Sequence, residues 1–149
     1  MEVTVRGANQ LADLAKRLRA EGDAGKGLKR ELVKGITRAT KPMRAEAKRE
    51  AKTRLPKSGG LAAIVGRSSI TTKTRTGRDP GVTILAKGVA ARSTDRGFVK
   101  HPVFGNREAW VTQAVAPGWF TDTMQNASPA VRREILEAMN TVARQIARG

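Results

Sequence analysis

Every aromatic side chain of this protein falls between positions 98 and 120: Phe98, Phe104, Trp110, Trp119 and Phe120, with no tyrosine. Any core outside that window has to be closed by aliphatic side chains and alanine. Rings bury far more apolar area per residue than aliphatic chains do. The concentration of rings in one window is a clue to function. The 149 residues suffice for one domain with a modest core. The expected organisation is a single domain over 1–149.

The elements are read from the hydrophobic pattern. Val3 and Val5 alternate with polar residues before Gly7, which predicts a short strand. Leu11, Leu14, Ala15 and Leu18 recur at helical spacing behind Asn9, predicting a helix over about 9–21, ended by Gly22-Asp23-Ala24-Gly25. Leu28, Leu32, Ile36, Ala39, Met43, Ala47 and Ala51 then form one stripe that keeps its phase across Pro42. An interior proline removes a backbone bond at a cost of about 3 kcal/mol. A long helix kinked near Arg38–Pro42 and ending by Leu55-Pro56 accounts for that stripe. Lys57-Ser58-Gly59-Gly60 reads as a loop. Residues 67–76 and Val82–Lys87 read as two strands about a turn at Gly77–Gly81, with the basic residues of the first guarding it against edge pairing. Residues 88–120 show little periodicity and read as a long loop. Ser128-Pro129 has the cap-then-proline order of a helix start, with Val131, Ile135, Met139, Val142 and Ile146 as its buried stripe. The predicted class is α+β: a small, mostly antiparallel sheet packed against an N-terminal helix pair and a C-terminal helix.

Several chemistries find no support. There is no cysteine, so no disulfide framework or thiolate zinc site can form. His101 is the single histidine, and its nearest acids, Asp95 and Glu108, lack ligand spacing. Ser58, Ser68, Ser69, Ser93 and Ser128 sit in no nucleophile elbow. Gly22–Gly27 resembles a phosphate loop only until its spacing is compared. The sequon at Asn126-Ala127-Ser128 has no secretory context. The expectation is a non-enzymatic protein without metal or cofactor. No apolar run approaches the roughly 20 residues of a membrane span. The first residues lack the features of a signal peptide, so a cytosolic product that engages no membrane is expected.

Charge points to partners. The net charge is +16, and its distribution is uneven. Residues 1–57 carry 16 basic and 7 acidic side chains, 58–107 carry 9 and 2, and 108–149 carry 4 of each. On the long helix, Lys29, Arg30, Lys34, Arg44, Lys48, Arg49 and Lys52 lie opposite the apolar stripe. Arg44, Lys48, Arg49 and Lys52 are candidates for a basic ridge that meets acidic protein or nucleic acid. No recognition helix or aromatic-studded sheet motif accompanies it, so nucleic-acid binding by this face would be tolerant of sequence. Contact with acidic protein is the favoured reading and sequence-tolerant nucleic-acid binding the alternative.

The window from Lys100 to Phe120 concentrates two prolines, two glycines and four of the rings. Aromatics and arginine dominate interface hot spots, but the same rings could equally close the core under a loop. His-Pro-Val-Phe-Gly-Asn at 101–106, Trp-Val-Thr-Gln at 110–113 and Pro-Gly-Trp-Phe at 117–120 resemble the signature of the tail-completion, or head–tail joining, proteins of long non-contractile-tailed bacteriophages. The layout is similar as well: a basic helix pair with Lys41-Pro42 in the second helix, Leu55-Pro56-Lys57-Ser58-Gly59-Gly60-Leu61 after it, a hairpin and a closing helix. The resemblance covers nearly the whole chain. It implies a structural virion protein of the neck (tail terminator, tail completion protein or head–tail connector), made in the host cytoplasm and assembled as a homo-oligomeric ring. Its partners would be other neck and tail proteins, with non-specific contact to packaged DNA. A ring subunit needs two different complementary surfaces. His101, Phe104, Asn106, Arg107, Trp110, Trp119 and Phe120 are the candidates for one of them.

Overall fold

The computed structural model describes residues 1–5, 8–103 and 105–149. The fold is α+β, as the periodicity predicts. Its described helices are α1 (Ala8–Ala20), α2 (Gly22–Ala39), α3 (Lys41–Arg54), α4 (Leu61–Gly66), α5 (Ala91–Asp95) and α6 (Thr121–Arg148). Its strands are β1 (Glu2–Val5), β2 (Ser69–Arg75), β3 (Gly81–Lys87), β4 (Phe98–Val103) and β5 (Asn106–Ala114). One sheet has the order β1-β3-β2, with β1 antiparallel to β3 and Val3 opposite Ile84; β4 and β5 make a separate antiparallel pair. Gly7, the expected end of the first strand, lies outside the described residues.

The chain packs as two compact units, each assembled from separated segments. One comprises Met1, Met43–Ile70 and Ala86–Asn126, and so contains every aromatic residue of the sequence. The other comprises Glu2–Pro42, Thr71–Leu85 and Ala127–Gly149 and has none. This second, aliphatic unit buries Leu11, Leu14, Ala15 and Leu18 of α1, Leu32, Ile36 and Ala39 of α2, and Val82 and Ile84 of β3. From α6 it buries Val131, Ile135, Met139 and Val142, as the stripe predicts, while Ile146 is half-buried.

Without rings, that unit gains its contacts by bringing backbones close. A Cβ at Gly25 of α2 would overlap the carbonyl oxygen of Leu18 on α1, and one at Gly35 would stand 3.0 Å from the Ala138 methyl on α6. The expected break at Gly22–Gly25 is therefore displaced. These residues form the first turn of α2, and the chain turns at Glu21 and at Gly22, whose φ is +59°.

The second helix is interrupted where expected, at Thr40. The Thr40 hydroxyl bonds the carbonyls of Ile36 and Thr37, both at 3.1 Å, and meets the Thr72 hydroxyl at 2.6 Å. Because the helix restarts at Lys41, Pro42 falls in the first turn of α3, where an N–H has no helical partner to lose. The stripe resumes beyond it with buried Met43, Ala47, Ala51 and Leu55.

Three expectations fail in the 55–130 region. Residues 58–60 form a short 3-10 turn that leads into α4, not a loop. Residues 88–120 hold α5, β4 and β5 instead of a long irregular segment. The final helix begins at Thr121, seven residues before Ser128, and runs through Pro129.

Gly25→Ala should lower stability by about 1–3 kcal/mol, because the new methyl has backbone in its way. Gly27→Ala on the same helix, where a Cβ meets nothing within 4 Å, should instead stabilise by up to about 1 kcal/mol. Urea midpoints of the two variants check the pair.

Candidate functional site

The aromatic unit is organised around Asp95 and the segment Pro117–Phe120. Asp95 Oδ1 accepts the backbone N–H groups of Phe120 at 2.7 Å and Thr121 at 3.1 Å, and Oδ2 meets the Thr121 hydroxyl. These amides open α6, where a helix has donors with no partner of its own and a partial positive charge. A carboxylate from α5 thus caps α6. Beside it the Trp119 indole N–H donates to the Thr94 hydroxyl at 3.1 Å, and the Gly118 amide to the Asp95 carbonyl at 2.9 Å. Gly118 has φ +80°, and any Cβ there would run into the Asp122 carboxylate. Arg54, at the end of α3, reaches the Pro117 carbonyl at 3.2 Å and Asp122 at 3.1 Å while its Nε holds Glu50 at 2.6 Å. Hydrogen bonds to Glu50 first and Asp122 second raise its pKa further above the ordinary arginine value.

Trp119 and Phe120 are therefore core residues. Both are 0 % exposed, with their rings edge to face at 5.8 Å. Of the two roles open to them from sequence, the structure fills the core role, and neither side chain is presented at the surface as an interface anchor.

The hairpin β4–β5 differs in every respect. Pairing runs from Phe98 opposite Ala114 to Pro102 opposite Trp110, then shifts so that Val103 faces Asn106. The residues left over, Arg107, Glu108 and Ala109, make a bulge. The Asn106 carboxamide oxygen accepts the Glu108 amide at 3.0 Å, and the Trp110 indole N–H donates to the Arg107 carbonyl at 2.7 Å. Asn106 and Arg107 thus serve to fix the bulge, the first through its side chain and the second through its backbone. Of the nine residues of β5, all but Ala109 are exposed, and Trp110 is 60 % exposed. From Ala109 to Val115 the strand carries no charge and no proline, unlike β2, which has Lys73 and Arg75. His101 is exposed on β4, its Nδ1 3.2 Å from the Pro102 carbonyl. Phe104 lies outside the described residues.

A cavity of about 440 Å³ adjoins the hairpin in the same unit. Its lining includes Leu61 and Ile64 of α4, Val89 before α5, Val99 and His101 of β4, and Gln113 of β5. Val89 is 77 % exposed and Ile64 47 %. With Trp110 and Val111 these are the exposed large hydrophobic residues among the described ones, and all four belong to the aromatic unit. Ile64 and Val89 escaped the sequence reading. The run Leu61-Ala62-Ala63-Ile64-Val65 was the available signal, since it has more apolar side chains than a six-residue helix can turn inward.

The basic ridge is largely engaged by its own chain. Arg44 is half-buried and donates to the Ile70 carbonyl at 3.2 Å, and Lys48 is half-buried. Arg49 pairs with Glu46, and the stem of Lys52 lies over Gly66. Of the four, Arg49 and Lys52 are exposed and Arg44 and Lys48 half-buried. On α2, Lys29, Arg30 and Lys34 are exposed as predicted. Among the described residues no group of acids and histidine could hold a metal ion, and no helix is long and apolar enough to cross a membrane.

No family model, no curated protein and no solved structure matches this chain.

Asp95→Ala should cost about 2–3 kcal/mol, since it uncaps α6 and strands buried amide donors. Trp110→Ala should change stability by no more than about 0.5 kcal/mol. Denaturant unfolding of the two variants separates the core rings from the exposed one.

Proposed function

We propose that this protein is a structural subunit of a bacteriophage neck, which completes the tail or joins it to the head as part of a ring and performs no catalysis. The observation that carries the reading is the β4–β5 hairpin. A two-stranded hairpin alone is only marginally stable in water. Here its second strand exposes an uncharged, β-prone run, with a tryptophan fixed in place by its own backbone. A strand of that kind is built to be covered by another subunit. The resemblance of residues 101–106, 110–113 and 117–120 to tail-completion proteins supplies the setting. The resembling motifs divide the work: Pro117–Phe120 anchors the hairpin's base in the core, and the 101–113 run carries the contact.

In this reading the exposed lysines and arginines of α2 face acidic surfaces of neighbouring neck and tail proteins, or the DNA that passes through. The ring is assembled from subunits made in the host cytoplasm and resides in the virion.

Removal of the gene from its phage, with complementation in trans, tests the reading by electron microscopy of lysates. DNA-filled heads beside separate tails of normal length, rejoined on complementation, are the expected outcome. Intact particles in the deletion lysate overturn it, and filter retention of duplex DNA by the purified protein would then favour sequence-tolerant nucleic-acid binding.

A further inference from the structure

The hairpin carries an exposed tryptophan ring and borders a cavity that this ring does not line. In an antiparallel pair, residues opposite each other share a face and successive residues alternate. Pro102 and Trp110 are opposite partners, as are Lys100 and Thr112. Val99 and Gln113, and His101 and Val111, form the alternate set and share the other face. Val99, His101 and Gln113 of the second face line the cavity together with Lys100, which shares the first face with Trp110; Trp110 itself does not line it.

Two further facts suit these features to each other. The indole N–H of Trp110 is already bonded to the Arg107 carbonyl, so the ring can enter an apolar site without stranding a donor. The same bond fixes its orientation, which lowers the entropy lost on docking. The cavity, at about 440 Å³, is of a size that takes small organic groups, roughly 300–1,000 Å³. Its walls are mostly apolar, and its charged or titratable lining residues are Lys100 and His101, both basic in type. A cationic partner side chain would be repelled there, whereas the electron-rich face of an indole is attracted to an ammonium group. Two chains of net charge +16 meet most readily through an uncharged element, and Ala109–Val115 is one.

We propose that Trp110 of one copy docks into the cavity lined by Leu61, Ile64, Val89, Val99, His101 and Gln113 of a second copy. The inference rests on the ring reading above and names its subunit contact. Trp110 is not among the residues that line the cavity, so knob and cavity are separate surfaces and the proposed contact is heterologous: each copy gives its ring to one neighbour and receives a ring from another. Such a contact repeats head to tail and closes when the rotation per subunit divides a full turn.

The test uses Trp110→Ala, which removes the knob, and Val89→Asp with Ile64→Asp, which places charge on the cavity's exposed rim. Each altered position is exposed, so circular dichroism and melting should match the wild type. Analytical ultracentrifugation should show the wild type as a closed oligomer and each variant weakened in self-association roughly thirtyfold or more, as for a hot-spot anchor. Mixed one to one, the two variants should form a discrete heterodimer and nothing larger, because one knob and one cavity survive between them. In the wild type, acrylamide should quench Trp110 fluorescence in dilute protein and lose that access on assembly; Trp119 is buried throughout.

A Trp110→Ala protein that assembles like the wild type overturns the docking proposal and leaves the ring reading standing. A mixture that yields no heterodimer also overturns it. If the wild type remains monomeric at every concentration while Trp110→Ala phage accumulate unjoined heads and tails, the anchor serves a different neck protein, and docking between copies is refuted. Phage that join normally without the gene refute the ring reading itself.

Discussion

The carboxylate of Asp95 is the joint on which the aromatic unit turns. It sits at the end of a five-residue helix too short to be stable alone, and it satisfies the first amides of a helix 28 residues long. The two stabilise each other, since α6 needs a cap and α5 needs a reason to stay folded. Around the joint, Trp119 bonds Thr94, Gly118 admits the Asp122 carboxylate, and Arg54 ties the segment to α3. The described aromatic side chains that this unit buries completely, Trp119 and Phe120, stand within one residue of those contacts. The hairpin rises from the same place, because Gly97 and Val115, its flanking residues, are bonded at 2.9 Å.

The two units answer one problem in opposite ways. Where rings are available, a few large side chains fill space and polar contacts orient them. Where they are not, α1, α2 and α6 approach closely over Gly25, Gly35 and Ala138 and add up aliphatic contacts. Glycine in a helix weakens it by about 1 kcal/mol relative to alanine. The aliphatic unit accepts that cost at Gly25 because closeness substitutes for bulk.

What could be read from sequence follows from the same physics. α1, α2, α3 and β2 were legible because one face of each is more buried and the burial repeats at the element's own period; β3, buried on both faces, was legible as a short apolar run after a turn. The interruption at Thr40 was legible because the stripe and Pro42 disagree. The start of α6 was not: its cap comes from Asp95, far away in the chain, while Ser128-Pro129 imitates a local start. The hairpin was not legible either. With β5 exposed on both faces there is no alternation to detect, and the Arg107–Ala109 bulge breaks the little that remains. Of the candidate site residues, Trp110 and Trp119 look alike in sequence and differ entirely in place. A glycine with positive φ and a remote hydroxyl decide it for Trp119, and neither is visible in a string of letters. For the basic ridge, helical spacing locates Arg44 on a face without showing that Ile70 offers it a carbonyl.

The uncharged run along β5 bears on how the free chain behaves in solution. A bare, β-prone edge invites pairing with any other bare edge, and here it belongs to a chain whose copies repel one another through a net charge of +16. That repulsion is long-ranged and weakens as the Debye length shrinks with ionic strength, whereas burial of an indole is nearly indifferent to it. Under the proposed docking, added salt would therefore favour association of copies of this chain. The same salt drives cationic protein off DNA by removing the gain from counterion release. If copies associate as proposed, ionic strength pushes that association and any contact with DNA in opposite directions, and the chain's own charge would keep it dispersed at low salt.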